Sequence, residues 1–399
     1  MQQHITQCQE RIAHHRFKQR TDKNQIDQYW HTQNHVPSIH IADPNIIEHA
    51  HIYSNNIEQM IGHATIPVGL AGPLSIHGTH AQGAFPIPLA TTEAALVASY
   101  HRGCMAINRA GGALVATTRS AILRTPAFMF DNIIDALKTA EWVQTHTNIF
   151  HDIVRTHSRH GTLISIEPHI DNELLFLCCS YHTADASGQN MATILTQHIG
   201  DYIAQHAPIT PQKWFIEANA SGDKKTSQLA NIHGRGRKIS AQIVLNHSIL
   251  RHILGTTAED LLDYARVANI GAHLAGQQGI QGHFANGLAA LYIATGQDPA
   301  CVAEGATGTV RIDTHPDGVK FSATIPSIMV GTVGGGTNLP SASEWLTFMG
   351  MRGAGHADTF AEIAAGLCLA GEISISAAIA SGHFTRAHQK LARERKDTR

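Results

Sequence analysis

Thr162-Leu163-Ile164-Ser165-Ile166-Glu167-Pro168-His169-Ile170-Asp171-Asn172-Glu173-Leu174-Leu175-Phe176-Leu177-Cys178-Cys179-Ser180-Tyr181-His182 is the stretch that decides the fold. Two strands, over residues 162–169 and 174–182, are predicted to meet across Asp171-Asn172, a pair whose short polar side chains suit a hairpin turn. Outward from them the pattern predicts one helix over 133–157 and another over 190–206. Strands over 120–124 and 214–218 close the series. Strand-helix-strand-strand-helix-strand is the ferredoxin-like order, so residues 119–216 are expected to form a small domain inserted in a larger one.

Residues 56–118 and 217–382 form the expected host, a large α-rich domain, which makes the fold class α+β. Its Gly- and Ala-rich segment from Gly271 to Thr295 suits a tightly surrounded central helix that Gly296 ends. Thr91 and Thr92 are expected to cap a helix carrying Glu93 in its first turn. Thr256-Thr257-Ala258-Glu259 and Ser341-Ala342-Ser343-Glu344 read as capping boxes of two more. Residues 66–74 mix apolar side chains with Gly and Pro, as irregular buried backbone does. Residues 1–55 read as polar and mostly helical, with a helix start at Asp43-Pro44-Asn45. Residues 383–399 form a basic tail, expected to be mobile.

A length of 399 residues exceeds the ~100–200 of one domain. The formal net charge of −2 argues against a nucleic-acid surface and a charged membrane face. Six cysteines without paired spacing, and no secretory signal ahead of them, point to a reducing cytoplasm. No apolar run approaching the ~18–20 residues of a membrane span is recognised. The 29 histidines include no His-Glu-x-x-His, and no Cys-x-x-Cys accompanies them, so no metal is expected.

Four segments each bring a proton-handling group: Thr91-Thr92-Glu93, Gly222-Asp223-Lys224-Lys225, Gly296-Gln297-Asp298 and Gly382-His383-Phe384-Thr385-Arg386-Ala387-His388. Reducing a thioester places negative charge on a carbonyl oxygen, and a fixed ammonium such as Lys224 lowers that barrier. A carboxyl such as Glu93 can return the proton if burial or an anion raises its pKa. Asp298 would tune both, and an imidazolium such as His388 would protonate the leaving thiolate. Taken singly, each residue also fits a structural role: Glu93 as a helix-end charge, Asp223 and Lys224 as a surface ion pair, Asp298 as a turn residue, His388 as a solvated tail group. Gly334-Gly335-Gly336 removes side chains, so that backbone N–H groups can approach a phosphate or carbonyl. No Walker loop or complete Gly-x-Gly-x-x-Gly is present, so any dinucleotide site is not of the Rossmann kind.

These segments resemble the 3-hydroxy-3-methylglutaryl-CoA reductases, as do Ile66-Pro67-Val68-Gly69-Leu70-Ala71-Gly72-Pro73-Leu74, Gly296-Gln297-Asp298-Pro299-Ala300 and the run from Pro326 to Leu339. The Asp-Lys-Lys and Gly-Gln-Asp forms resemble the class I branch more than class II. The resemblance implies an enzyme that uses NADPH to convert 3-hydroxy-3-methylglutaryl-CoA to mevalonate and coenzyme A by two hydride transfers, as a homodimer with interfacial sites. It implies Glu93 as proton donor, Lys224 as oxyanion stabiliser, Asp298 as modulator and His388 as thiol protonator. It also implies substrate contacts at Arg124, Asp223, Lys225, Asn286, Ser99 and Arg102. Asp185, Gly188, Asn190 and Met191 match the family's nucleotide motif; Ser158 and Arg159 would cradle a 2′-phosphate; Gly334, Gly335, Gly336 and Thr337 complete the cofactor set. Departures are Glu217-Ala218-Asn219 in place of Ser-Gly-Asn, Met105 at an often basic position, and Gln277 and Gln278 in place of smaller residues. They motivate an alternative, a non-catalytic acyl-CoA or nucleotide sensor.

Overall fold

The structure, a computed structural model, describes residues 22–32 and 38–382. Contacts gather the chain into two compact units, one ending at Pro67 and one beginning at Val68. In the first, α1 (Lys23–Thr32) and α2 (Pro44–Glu48) bring Ile26, Ile47, Ala50 and Met60 into a small apolar cluster. The expected helix start holds: Asp43 accepts the Asn45 N–H at 2.9 Å, and Pro44 fills a position whose N–H would have no partner anyway.

The second unit is built on a ten-stranded sheet. β1 (Val68–Gly78) and β2 (Gln82–Ala90) form its first hairpin. The segment expected to be irregular is therefore mostly strand, its ladder broken only between Ala71 and Leu74, where Pro73 has no N–H to donate. α3 (Leu96–Arg109) begins three residues later than the sequence suggests. The Thr91 hydroxyl accepts the Glu93 N–H within a loop, and Ala95 turns left-handed before the helix begins, so Glu93 precedes the helix.

β3 (Ala113–Arg124), β4 (Ala127–Met129), α4 (Ile133–Thr145), α5 (Thr147–His157), β5 (Thr162–Asp171), β6 (Leu174–His182), α6 (Gln189–His206) and β7 (Lys213–Phe215) follow. The helix expected over 133–157 is two, divided at His146. The hairpin forms where the sequence puts it, with Asp171 opposite Leu174. β3 is longer than expected because its first half pairs with β8 (Gly236–Asn246) and its end with β6. α7 (Ala258–Leu274), α8 (Phe284–Thr295), β9 (Thr309–His315), β10 (Gly318–Ile328), α9 (Pro340–Phe348) and α10 (Ala357–Ala380) complete the unit. The strands run β7-β4-β6-β3-β8-β10-β9, with β5 beside β6 and β1 beside β3.

The central helix is not where the sequence places it. Residues 271–295 are broken between α7 and α8, with Gly276 and Gly279 at positive φ in the break. α10 is the buried helix instead, packed against β3, β8, β10 and α3. Gly103 explains how α3 comes so close: a Cβ there would overlap the Ala370 backbone, a clash no side-chain movement relieves. Two caps also shift. Thr257 rather than Thr256 caps α7, and α9 opens on Pro340 with no side-chain cap from Ser341.

α10 has 24 residues, its most apolar 18-residue window has a mean hydropathy of 1.8, and it passes the length and composition test of a membrane span, contrary to the sequence reading. Its apolar window is 83% buried inside the fold. Two internal acids hold it there. Glu362 accepts N–H groups of His80, Ala81 and Thr117, and Glu372 accepts those of Gly282 and His283 at 3.0 and 2.6 Å. Burial pushes the Glu372 carboxyl from 4.5 up to about 7, against the pull of the amides. An acid that keeps its proton longer when folded favours folding below its unfolded pKa, and the advantage is lost as pH rises through the folded one. Between pH 4.5 and 7.5 the unfolding free energy should fall by ~3 kcal/mol relative to Glu372→Gln. Urea unfolding of both proteins across that range checks this; parallel curves would contradict it.

Candidate active site

The chain leaves β7 beside the end of β3 and turns through Gly222-Asp223-Lys224-Lys225, closed by the Lys225 N–H on the Gly222 carbonyl. Gly222 and Lys224 both take positive φ, 73° and 53°. For lysine that is a sparsely populated conformation, maintained only where the surroundings fix it. It puts Lys224 Nζ 2.7 Å from Asp298 Oδ2, with both side chains nearly half exposed. The Asp298 hydrogen bond raises the Lys224 pKa. Burial works against the Asp298 charge, but the Lys224 bond and the Ala300 N–H outweigh it and hold that carboxyl low. The pair is an ammonium kept protonated at an open surface.

Gly296, left-handed at φ 68°, ends α8 as expected and releases Gln297 and Asp298. Gln297 accepts the Gly331 N–H at 2.8 Å, and Gly296 meets Gly336 so closely that neither tolerates a Cβ. The acid loop and the glycine loop are one structure. Gly331 in turn lies on the Ala186-Ser187 backbone, and the Thr332 N–H reaches the Asp185 carbonyl at 2.9 Å. Burial opposes the Asp185 charge too, yet amides of Gly355, Ala357 and His356, with Arg237, leave its pKa lowered. Gly188 starts α6 in a left-handed conformation, with Asn190 and Met191 in the first turn. Ser158 accepts the Gly161 N–H at 2.7 Å and lies 3.9 Å from the Met191 sulfur, while Arg159 beside it is exposed. Gly334 and Gly335 have positive φ and open space where a Cβ would stand; Gly336 and Thr337 follow in a short turn of helix. Two of these contacts tie the set together: Ser158 to Met191, and the 331–332 backbone to residues 185–187.

Glu93 is the exception. It is exposed rather than embedded, and it accepts from Asn286 at 2.8 Å. Asn286 stands in the first turn of α8 and Asp298 just past the last, so about 15 Å of helix axis separates the two pairs. Within one chain the carboxyl and the ammonium do not meet. Ser99 and Arg102 face α10: Ser99 is 3.0 Å from the Ser374 hydroxyl, and Arg102 binds that hydroxyl and the Ser374 carbonyl. His388 lies outside the described residues. No cluster with metal-ligand composition occurs among them.

Arg124 and Asp223 belong to a buried charge network that the sequence reading missed. Arg124 Nη1 contacts Glu217 at 3.1 Å and Asp223 at 3.0 Å. Arg235, fully buried, binds both oxygens of Glu304 at 2.7 and 2.6 Å and Gln189 at 3.2 Å. It also lies 3.1 Å from Asp223 Oδ1, close enough for charge attraction but not aligned as a hydrogen bond. Gln189 reaches on to Cys301. Lys225 is exposed and donates to the Asp223 carbonyl. The available signal was the Gly234-Arg235-Gly236-Arg237 run, whose glycines at φ 71° and 83° seat two arginines in the interior.

A profile of the family described as hydroxymethylglutaryl-coenzyme A reductase matches residues 21–393. This chain belongs to that family. The reductases are oxidoreductases, and the chain is an enzyme of that kind. A 3-hydroxy-3-methylglutaryl-coenzyme A reductase of Methanocaldococcus jannaschii is 39% identical over 359 residues, covering 89% of this chain and 88% of the relative. One from Pyrococcus horikoshii is 41% identical over 359 residues, covering 88% and 86%. The fold is similar to that of the class II reductase of Streptococcus pneumoniae, solved bound to NADPH in open conformations, with a TM-score of 0.67, 16% identity and coverage of 90% and 97%.

Proposed function

We propose that this chain reduces 3-hydroxy-3-methylglutaryl-CoA to mevalonate and coenzyme A in two successive steps, at sites formed between two copies, in the cytoplasm. The carrying observation is the Lys224–Asp298 pair at 2.7 Å, an ammonium fixed at an open surface beside Arg124 and Asp223. Lys224 would face the thioester carbonyl oxygen, where negative charge develops, and Asp298 would keep it protonated and aimed. Glu93, held by Asn286 about 15 Å away along α8, would come from the second copy to return a proton to that oxygen. His388 would protonate the departing thiolate. Arg124, Asp223 and Lys225 would hold the acyl carboxylate end, and Ser99 and Arg102 would lie towards coenzyme A.

NADPH would supply the hydrides when bound. The residues fit it: Gly334 and Gly335 leave open backbone, α6 begins just after its N-cap Gly188, and Arg159 is exposed where a guanidinium would meet a 2′-phosphate. β7-β4-β6-β5 with the helices between them is the strand order of a ferredoxin-like domain, and residues 119–216 would be that nucleotide domain. They would be inserted in the substrate domain of 56–118 and 217–382, with 1–55 ahead and the His388 tail, 383–399, behind.

The test is NADPH oxidation that depends on 3-hydroxy-3-methylglutaryl-CoA. NADPH should be favoured over NADH. A lost charge-assisted hydrogen bond is worth ~1.5–3 kcal/mol, so Arg159→Ala should raise the KM for NADPH roughly ten- to hundredfold and leave that for NADH within about twofold. Preference for NADH would remove the phosphate role. Thermal stabilisation by the thioester without any oxidation would favour the sensor reading.

A further inference from the structure

Arg124 is the guanidinium that the proposed reaction needs for an anionic acyl group, yet an internal carboxylate already sits on it. β7 pairs with β4, which follows directly on β3, so the chain leaving β7 carries Glu217 to the end of β3. There Glu217 Oε2 lies 3.1 Å from Arg124 Nη1 and accepts the Ser221 hydroxyl at 2.7 Å. Arg124 is 6% exposed, and Asp223 takes the same Nη1 at 3.0 Å. Arg124 Nε, Glu217 Oε1, Asp223 Oδ1 and Arg235 Nε are buried with no hydrogen-bond partner among the described residues. Each such atom is a donor or acceptor with hydrogen-bonding capacity to spare, which a water or another polar group can use.

With every group ionised, Arg124 and Arg235 face Glu217, Asp223 and Glu304, leaving the network one negative charge in excess. Removing the Glu217 charge would leave it neutral. Arg124 would still be paired, because Asp223 holds it independently.

We propose that Glu217 is a specificity-determining residue, an internal carboxylate that competes with the substrate's own for Arg124 and so weakens anionic acyl-CoA thioesters relative to neutral ones. This rests on the reading that Arg124 faces the acyl group. An anion arriving at Arg124 must displace Glu217 or bind beside it against like charge; a neutral acyl chain meets neither obstacle.

The experiment compares wild type with Glu217→Gln, Glu217→Ser and Glu217→Asp by calorimetric titration with 3-hydroxy-3-methylglutaryl-CoA and with butyryl-CoA, alongside the reductase assay. Gln and Ser should each tighten the anionic thioester roughly tenfold and lower its KM in parallel. Butyryl-CoA should change by less than about twofold. Asp, which keeps the charge, should stay with wild type. If Gln and Ser bind the anionic thioester no tighter than wild type, or tighten both thioesters alike, the inference is overturned even where the wild type turns over normally. If the wild type binds but does not turn over, while Gln and Ser still gain affinity for the anionic thioester alone, the proposed reaction is lost and the role of Glu217 stands. Two chemically different neutral variants keep the result decisive should one fail to fold.

Discussion

Lys224→Ala should lower kcat by roughly 10²- to 10³-fold, the usual cost of deleting one donor that stabilises a developing oxyanion. The fold should survive, because the Lys224 side chain is 44% exposed and its ionic partner Asp298 also keeps the Ala300 N–H. Alanine tolerates the left-handed backbone at 224 no worse than lysine does. The loss should therefore fall on turnover and not on the unfolding midpoint. Lys224→Arg should recover little, since a guanidinium is longer and planar and would displace the point charge that Asp298 aligns. A steady-state assay with thermal melts of both variants decides the matter. Turnover of Lys224→Ala within about tenfold of wild type would take Lys224 out of the chemistry.

Arg235→Leu should cost ~3–5 kcal/mol of stability, because it strands Glu304 in the interior without its counter-charge. The pair is 1% exposed on both sides, and the guanidinium also serves Gln189 and Asp223. Burial already pushes the Glu304 pKa upward. The stranded carboxyl would take a proton as pH falls, so the deficit should shrink towards acid pH. The double variant Arg235→Leu with Glu304→Leu should recover a large part of the loss, since an apolar pair of similar volume often replaces a buried ion pair at little cost. Denaturant unfolding of the three proteins measures the coupling. A single variant as stable as wild type would mean that Glu304 finds another partner.

The middle of the fold was legible because strand runs, a polar turn and helical spacing agree there, and the structure returns the 171–174 hairpin and both flanking helical regions. The central helix was misread for a physical reason. Residues 271–295 are as rich in small apolar residues as a buried helix, but Gly276 and Gly279 take positive φ and break it, and composition cannot distinguish a small residue that packs from one that turns. α10 escaped notice as a long apolar helix because Glu362 and Glu372 interrupt its run, while the backbone amides that satisfy them come from residues up to 282 positions away. In the site, Asp298 was expected to serve both Lys224 and Glu93, and it meets Lys224 alone of the two. Glu93 was placed in an apolar setting from neighbours in sequence, whereas a loop ahead of α3 exposes it. The Arg124–Glu217 contact was legible only as an odd residue beside an expected anion site. Its meaning depends on β7 lying against β4.

α10 follows in the chain every strand and helix it packs against, from β1 through β10. During synthesis the face of the sheet that α10 covers is made first and stands bare until that helix emerges. Closure of the core is therefore a late event in the life of each molecule. The interval before it is when a nascent chain, carrying an uncovered apolar sheet face, is most exposed to capture by a neighbour.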